Sequence, residues 1–158
     1  MKYGKKDLCI GSDHAGFDLK EEVKSYLLKK GFRVRDFGTY SKDSCDYPDY
    51  AYVLARQVSR NAALRGILIC KTGIGNSIVA NKLKGVRAAL SYNVEAARLS
   101  RQHNDSNVLV LGSAFVDLGK ARRIIDVWLS TEFEGGRHKR RVDKIKKIEK
   151  ELLRSREK

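Results

Sequence analysis

The sequence predicts a doubly wound α/β fold: a three-layer α/β/α sandwich with a five-stranded parallel sheet and a C-terminal helix. Two observations support this prediction. Short apolar runs alternate five times with segments whose apolar residues recur every three or four positions, the pattern of strands followed by amphipathic helices. Strands that alternate with helices form a parallel sheet covered on both faces. The length of 158 residues suits one compact domain, predicted to span residues 1–158.

The first half of the chain supplies three strands and the helices that follow them. The strands are predicted over residues 7–11, 32–37 and 66–70. Gly31 ends the first helix, because glycine readily takes the left-handed conformation that closes a helix, and Pro48 stands near the start of the second. The second helix directs a stripe of apolar side chains inward, namely Ala51, Leu54, Ala55 and Val58. The third helix begins directly after a glycine-rich turn.

The second half repeats the pattern twice. Strands are predicted over residues 86–90 and 107–111, with a helix from about 93 to 102 between them. Asp117 is predicted to cap the next helix, because an aspartate side chain accepts a hydrogen bond from a free N–H group of the first turn. The inner face of that helix consists of Leu118, Ala121, Ile125 and Trp128. In such sheets ligands bind beyond the carboxyl ends of the strands, so the loops there are the place to search for a site.

Residues 137–158 are predicted to form a basic C-terminal helix. Eleven Lys and Arg residues there outnumber four Asp and Glu residues, which is half of the net charge of +14. Apolar residues recur at steps of three, three and four, at Val142, Ile145, Ile148 and Leu152. One interpretation is a docked helix with a solvated basic face, and the alternative is a tail that binds nucleic acid through its phosphates. The segment has no interleaved aromatic residues, which disfavours nucleic acid.

The composition argues against several classes of protein. No apolar run approaches the roughly 18 residues of a membrane span, and the first residues lack the apolar stretch of a signal peptide. The three cysteines, Cys9, Cys45 and Cys70, show no Cys-x-x-Cys spacing, and no paired-histidine spacing accompanies them, which disfavours a structural zinc site. We therefore expect a cytoplasmic protein with no bound metal and no membrane association.

The segment 66–82, GILICKTGIGNSIVANK, holds the strongest functional signal. Gly73 and Gly75 permit backbone conformations closed to other residues, so successive N–H groups can converge on one anion. The helix that follows adds the positive end of its dipole. Ile78 stands where a dinucleotide-binding turn needs a third small residue, so that fingerprint fails. The turn suits a small oxyanion better than a pyrophosphate.

Cys70 ends a buried strand beside this turn. A helix N-terminus and the neighbouring cation of Lys71 can lower the pKa of a thiol and make it reactive. The alternative is a small, inert core residue, because free cysteines are often buried. Its position alone leaves both interpretations open, whereas Cys9, inside the first strand, is interpreted as core.

Further titratable side chains stand at both edges of the predicted sheet. Asp13 and His14 follow the first strand, on the same edge as Cys70, where they either cap a helix or carry protons. His103 precedes the fifth strand and so lies at the opposite edge. If His103 is catalytic, it reaches the pocket of a neighbouring subunit, which predicts a dimer with shared sites.

Seven ordered segments resemble the ribose-5-phosphate isomerase B family, which includes the galactose-6-phosphate isomerase subunits. They are SDHAGF (12–17), DYPDYA (46–51), ILICKTGIGNSIVANK (67–82), GVRAAL (85–90), SRQHND (100–105), NVLVLGS (107–113) and EGGRHKRRV (134–142). The resemblance runs from about residue 7 to 150. It implies a cofactor-independent aldose–ketose isomerase of the pentose phosphate pathway, which interconverts ribose 5-phosphate and ribulose 5-phosphate through an enediolate. It is compatible with a homodimer or a tetramer.

The resemblance also implies a role for each matching residue. Cys70 is the general base that moves a proton between C2 and C1, and Thr72 lies beside it. His103 opens the sugar ring, with Asp13 as its counterpart in proton handling. Substrate contacts are implied for His14, Tyr47, Lys71, Gly73, Gly75, Asn76, Asn104, Arg137 and Arg141. The backbone from Lys71 to Asn76 stabilises the enediolate. The two arginines are four residues apart, so both face one side of the last helix as a phosphate clamp.

Two positions depart from the family pattern. Lys71 replaces the glycine that usually follows the catalytic cysteine, and Ala114 replaces an arginine after the fifth strand. If position 71 needs a positive φ, lysine strains it; otherwise the ammonium of Lys71 partly replaces the missing charge. These departures leave a six-carbon substrate, such as galactose 6-phosphate or allose 6-phosphate, as the alternative. A non-catalytic sugar-phosphate or nucleic-acid binder is a further alternative.

Overall fold

The alternation of strands and helices is present in a computed structural model, which describes residues 6–155. The strands are β1 (Asp7–Ser12), β2 (Arg33–Asp36), β3 (Arg65–Cys70), β4 (Ala88–Leu90) and β5 (Val108–Gly112). The helices are α1 (Phe17–Lys29), α2 (Tyr47–Arg60), α3 (Ile74–Ala80), α4 (Val94–Asn104), α5 (Leu118–Ser130) and α6 (Gly136–Ser155), with a short 3-10 turn over His14–Gly16. The end of the predicted basic helix, 156–158, lies outside the described residues. None of the described helices combines the length and the apolar composition that a membrane crossing requires.

The five strands run parallel in the order β2-β1-β3-β5-β4. From β1 the chain passes to one side for β2 and to the other side for β3, so the strand order reverses between β1 and β3. A crevice for a ligand opens at such a point, beyond the carboxyl ends of the strands. The register pairs Ser12 with Ile69 and Cys70 with Gly112, so the loops after β1, β3 and β5 leave the sheet side by side.

Two apolar clusters cover the two faces of the sheet. Helices α1, α4 and α5 pack on one face around the fully buried Trp128. Helices α2 and α3 pack on the other face, and all the inward residues predicted for α2 are buried. Successive side chains of a strand point to opposite faces: Ile67 and Ile69 belong to the first cluster and Leu68 to the second. The described residues thus form the predicted three-layer sandwich.

The element boundaries differ in small ways from the prediction. Strand β4 begins at Ala88 instead of Val86, because the N–H of Val86 closes a turn onto the carbonyl of Leu83 at 3.1 Å. Helix α4 extends to Asn104, so His103 stands in the last turn of a helix. The predicted cap of α5 is confirmed, since a side-chain oxygen of Asp117 accepts a hydrogen bond from the helix backbone.

The apolar stripe of α6 is covered only in part. Val142 is buried, whereas Ile145, Ile148 and Leu152 are 47%, 56% and 61% exposed. Within one chain α6 therefore docks through its first turns, and the rest of its apolar stripe is exposed. Its exposed part borders a groove of about 600 Å³, whose other wall is β4 and the turn before it.

Candidate active site

The predicted site residues fall into two groups at opposite edges of the sheet. We call the edge where the strands end the carboxyl rim and the edge where they begin the amino rim. The carboxyl rim holds Asp13, His14, Tyr47, Cys70, Lys71, Thr72, Gly73, Gly75 and Asn76. The amino rim holds His103, Asn104, Arg137 and Arg141. Strand β5 has 5 residues, which separates the rims by roughly 13 Å.

Cys70 is the last residue of β3, and only 4% of its surface is exposed. Its Sγ accepts a hydrogen bond from the backbone N–H of Gly73 at 3.1 Å. Cys9 differs, because it is fully buried among apolar side chains, and burial raises its pKa to about 12. Cys9 is a core residue, as its place in β1 predicted. The Sγ of Cys70, in contrast, accepts a hydrogen bond from a backbone N–H group.

The pKa of the Cys70 thiol is raised, chiefly because burial disfavours the thiolate. Backbone N–H groups of Gly73, Asn76 and Thr72 act in the opposite direction, and the negative charge of Asp13 adds to the rise. The sequence left open whether the thiol is reactive with a lowered pKa or inert, and within one chain its pKa is raised. Desolvation of the thiolate outweighs the donors of the turn.

Two glycines let the turn after β3 approach its neighbours closely. Gly73 has a φ of +82°, and a side chain there would come within 2.4 Å of Leu90. A side chain at Gly75 would come within 2.4 Å of the ring of Tyr47. Tyr47 therefore lies directly against the turn, although it belongs to α2. The turn keeps its backbone N–H groups accessible because no side chain intervenes.

Hydrogen bonds hold the turn in place. The carbonyl of Thr72 accepts from the hydroxyl of Tyr92 at 2.7 Å. The Tyr92 ring in turn packs edge-on against Phe115, with 5.2 Å between ring centroids. The hydroxyl oxygen of Thr72 accepts from the N–H of Ile74 at 3.3 Å. The carbonyl and the hydroxyl group of Thr72 are thus both hydrogen-bonded, which holds the backbone N–H donors beside Cys70 in place.

The two positions that depart from the family pattern are neighbours. The N–H of Ala114 donates to the carbonyl of Lys71 at 3.0 Å. Lys71 is exposed. Among residues 6–155, positive φ outside glycine is confined to Asp105, so lysine at position 71 strains no backbone. The backbones of positions 71 and 114 are therefore adjacent.

Asp13 and His14 follow β1 as predicted. One carboxylate oxygen of Asp13 accepts from the N–H of Gly16 at 2.9 Å, so Asp13 caps the 3-10 turn. Asp13 is buried and also acts on the Cys70 thiol through its charge. Nδ1 of His14 lies 3.2 Å from the backbone nitrogen of Cys45. Asp13 thus combines the structural role with a position beside the thiol.

Three buried polar atoms at the carboxyl rim find no hydrogen-bond partner among residues 6–155. They are the hydroxyl oxygens of Ser12 and Ser91 and the amide oxygen of Asn76. Ser12 ends β1, Asn76 stands in the first turn of α3, and Ser91 follows β4. Buried polar atoms without partners are rare, but Ser12 and Ser91 lie three strand spacings apart, about 14 Å, so one small ligand does not reach both. The sequence identified Asn76 and missed the two serines, whose signal was their position at strand ends.

At the amino rim, His103 stacks on His138, a residue to which the sequence assigned no role. The ring centroids are 4.0 Å apart and the planes differ by 5°. His138 is buried, and its Nε2 accepts from Nε of Arg137 at 3.4 Å, with a carboxylate oxygen of Glu134 also at 3.4 Å. Burial and the neighbouring charges of His103, Arg137 and Arg141 lower the pKa of His138. This shift favours the neutral form of His138.

The other predicted residues of this rim are exposed. Asn104 ends α4, while Arg137 and Arg141 stand on the first turns of α6. Neither arginine forms an ion pair with a carboxylate within the part of the chain that the structure describes. Their guanidinium groups are available to an anion, as a phosphate clamp requires.

His103, Glu134 and His138 could each offer a ligand atom to a metal ion, since these atoms lie within 4.8 Å of one another. The two imidazole rings are parallel, however, so their in-plane lone pairs do not converge on one point as tetrahedral coordination requires. Arg137 also places a positive charge against the same nitrogen of His138. This arrangement suits a stacked pair of rings better than a metal centre.

Comparison with known proteins covers both rims. The sequence model of the Ribose/Galactose Isomerase family matches residues 8–145. Ribose-5-phosphate isomerase B of Escherichia coli (strain K12) is 48% identical over 144 residues, which is 91% of this chain and 97% of that protein. The probable ribose-5-phosphate isomerase B of Mycoplasma genitalium is 46% identical over 147 residues, which is 92% of this chain and 97% of that protein.

Solved structures show the same architecture. Ribose-5-phosphate isomerase B of Clostridium thermocellum has a TM-score of 0.90 at 50% identity, covering 92% of this chain and 99% of that chain. The enzyme of Mycoplasma genitalium, solved with bound ribulose-5-phosphate, has a TM-score of 0.90 at 45% identity, covering 94% and 99%. The match runs from β1 into α6 and includes every predicted site residue. This chain belongs to the Ribose/Galactose Isomerase family.

Proposed function

We propose that this protein is an aldose–ketose isomerase that interconverts ribose 5-phosphate and ribulose 5-phosphate. The observation that carries the proposal is the buried Cys70 thiol, which ends β3 and meets the N–H of Gly73 at 3.1 Å. Relatives of similar length are named ribose-5-phosphate isomerase B, and one of them was solved with bound ribulose 5-phosphate. The reaction needs no cofactor, because one carbon of the sugar is oxidised while its neighbour is reduced.

The chemistry is a proton transfer between adjacent carbons. The thiolate of Cys70 removes the proton from C2 of the aldose, and the electrons of that C–H bond form the enediolate. The thiol then returns the proton to C1, while a proton passes from the C2 oxygen to the C1 oxygen. No group enters or leaves. A thiolate with a raised pKa is a strong base for this step, although less of it is present at neutral pH.

The turn after β3 supplies the complementary anion site. Its backbone N–H groups are fixed before the substrate arrives, so they stabilise charge on the enediolate oxygens without reorganisation. One such donor contributes about 2.7–4 kcal/mol in comparable sites. The unpartnered amide oxygen of Asn76, in the first turn of α3, gives a substrate hydroxyl group a further partner beside this turn. Thr72 keeps this turn in position.

The separation of the rims supports a site shared between two copies of the chain. His103 is assigned to ring opening with Asp13 as its counterpart, and Arg137 and Arg141 to the phosphate. A pentose phosphate is too short to use both rims of one chain, which are roughly 13 Å apart. A two-fold axis places the amino rim of one copy beside the carboxyl rim of the other.

Exposed apolar side chains adjoin both rims and support a homodimer. Ile74, Ile78 and Phe115 follow the strand ends of the carboxyl rim and are each more than half exposed. The exposed stripe of α6 borders the groove that Asn104 also lines, at the amino rim. Pairing these surfaces would remove apolar area from water at both sites. A tetramer built from two such dimers is the alternative assembly.

Lys71 is assigned a substrate contact specific to this chain. Its carbonyl accepts a hydrogen bond from the N–H of Ala114, so the backbones of the two departing positions are adjacent. An ammonium at this spot partly replaces the positive charge of the arginine usual at position 114. Residues 1–158 are proposed to act as one domain in the cytoplasm, where the three free cysteines suit a reducing environment.

The test is isomerase activity on ribose 5-phosphate without added metal, for the wild type, Cys70→Ala and Cys9→Ala. We expect robust turnover that Cys70→Ala lowers by about 10²–10⁴-fold, the usual contribution of a general base. Cys9→Ala serves as the control, since it also removes a buried thiol but lies within the core. Activity that survives Cys70→Ala would move the base elsewhere. No turnover in any variant would redirect the assay to galactose 6-phosphate and allose 6-phosphate.

A further inference from the structure

His138 contacts two groups to which the proposed function gives different tasks. Its ring stacks on His103, the residue assigned to ring opening, at 4.0 Å between centroids. Its Nε2 accepts from Nε of Arg137, a residue assigned to the phosphate, at 3.4 Å. His138 is 4% exposed, whereas Arg137 is exposed and His103 is half-buried. One buried ring thus lies between the two functional groups.

The start of α6 fixes this ring from both sides. His138 shares the inner face of the helix with Val142, one turn later, which is also buried. Its backbone N–H bonds to the carbonyl of Gly135 at 2.9 Å. The N–H of Glu134 bonds to the carbonyl of Gln102 at 3.1 Å, which ties the segment to the last turn of α4. The stacked rings therefore connect the end of α4 with the start of α6, which the backbone hydrogen bond from Glu134 to Gln102 also holds together.

The contact with Arg137 specifies the state of the His138 ring. In this geometry Nε2 of His138 is the acceptor of the Arg137 N–H, which places the proton of a neutral His138 ring on Nδ1. Glu134, at 3.4 Å from the same nitrogen, adds a negative charge that balances Arg137. A second imidazolium 4.0 Å from the first would also add repulsion. The proposed function assigns the proton transfer of ring opening to the other ring of the stack, that of His103.

We propose that His138 is a positioning residue, which orients the His103 ring for ring opening and the Arg137 guanidinium for phosphate binding. This inference rests on the proposed function. It assigns the two contacts to different steps: the stack acts on the chemical step through His103, and the hydrogen bond acts on substrate affinity through Arg137.

Two substitutions separate these contacts. His138→Phe keeps a flat ring for stacking and removes the acceptor for Arg137, so the KM for ribose 5-phosphate should rise about two- to tenfold while kcat changes little. His138→Gln keeps an acceptor and removes the ring, so kcat should fall about tenfold while KM changes little. Lys139→Gln is the matched control, because Lys139 is exposed on the same turn and pairs with Asp143. It should alter neither constant.

A structural role alone would not produce this split, and equal changes of kcat and KM in both variants would overturn the proposal. A readout without turnover uses NMR signals of the His103 ring, which the neighbouring ring shifts upfield. The upfield shift should persist in His138→Phe and disappear in His138→Gln.

The wild type provides a test that needs no folded variant. Cross-relaxation between ring protons of His103 and His138 is expected, and its absence would also overturn the proposal. If the wild type shows the ring contact but no isomerase activity, the proposed function fails instead, and the His138 assignment to catalytic steps falls with it. If isomerase activity is present without the ring contact, only the positioning role fails.

Discussion

The two rims of the sheet are built in different ways. At the carboxyl rim Cys70 and Asn76 are buried, with exposures of 4% and 1%, and a backbone N–H donates to the thiol. At the amino rim the two arginines are exposed on the first turns of a helix, and only the histidine stack is partly covered. A group that removes a proton from carbon gains from fixed donors in a dry environment. Exposed guanidinium groups stay hydrated until an anion binds, which avoids the free-energy cost of burying an unpaired charge.

The largest effect is expected from mixing two variants that are damaged at opposite rims. Cys70→Ala and His103→Ala should each be nearly inactive alone. In a mixed dimer with shared sites, one site carries both substitutions and the other carries neither. Random pairing then restores about a quarter of the wild-type activity, a gain of about two orders of magnitude over either parent. The measurement is isomerase activity after the two variants are unfolded together and refolded.

The control for this experiment mixes two variants of the same rim. Cys70→Ala with Asp13→Asn leaves each site of a mixed dimer with one substitution, so no activity should return. Absence of recovery in the opposite-rim mixture, with mixed dimers demonstrated by native mass spectrometry, would contradict the shared site.

The next effect distinguishes the tasks of the two rims. Arg137→Ala and Arg141→Ala should each raise the KM for ribose 5-phosphate about 10–100-fold, because a charge-assisted hydrogen bond to phosphate contributes about 1.5–3 kcal/mol. The turnover number should change much less than in Cys70→Ala. Arg140→Ala is the matched control, since Arg140 is an exposed arginine of the same turns without an assigned role. A KM change of similar size in Arg140→Ala would point to general charge instead of a clamp.

The pH dependence of Cys70 alkylation tests whether burial at the carboxyl rim controls the pKa of this thiol. Burial raises the pKa of this thiol, so its thiolate fraction should grow about tenfold per pH unit between pH 7 and 9 without a plateau. The rate of Cys70 carbamidomethylation by iodoacetamide, read by peptide mass spectrometry, should follow that slope. Cys9, with a pKa of about 12, should stay unmodified and provides an internal control. A plateau near pH 7 would show that cations from a partner chain reverse the effect of burial.

The smallest effect is expected at Lys71, an exposed charge at the edge of the carboxyl rim. Lys71→Gly should raise the KM for the sugar phosphate by only a few-fold, because solvent screens exposed charges. Lys71→Arg keeps the charge and should keep the KM. If Lys71→Gly leaves the KM unchanged, the ammonium does not substitute for the arginine that Ala114 replaces.

Hydrophobic periodicity predicted the sheet, its covering helices and the inward face of α2 correctly, whereas in α6 it predicted a helix whose apolar stripe is covered only in part. In both helices the apolar stripe exists. Ala51 and Leu54 of α2 are fully buried, whereas Ile145 and Ile148 of α6 remain exposed. A period identifies which face of a helix is apolar, but the element that covers this face comes from elsewhere in the fold or from another chain.

The places of the candidate residues in the fold were predictable, whereas their protonation behaviour was less so. Cys70 lies at a strand end with donors beside it, as the glycine turn indicated. The direction of its pKa depended on a balance between desolvation and donors that the sequence does not display. Ser12 and Ser91 were missed because serine at a strand end is common. His138 was missed although its spacing to Val142 already indicated an inward face.

The distance between Cys70 and His103 along the sheet has a consequence for how the enzyme would work at low abundance. If no single chain holds a complete site, output follows mass action between chains. Below the dissociation constant of the dimer, the number of complete sites falls with the square of the total concentration, so halving the protein leaves about a quarter of the rate. The activity per milligram of protein then depends on the protein concentration. In a cell with few copies, a fall in the amount of protein lowers the reaction rate by a larger factor than the amount itself.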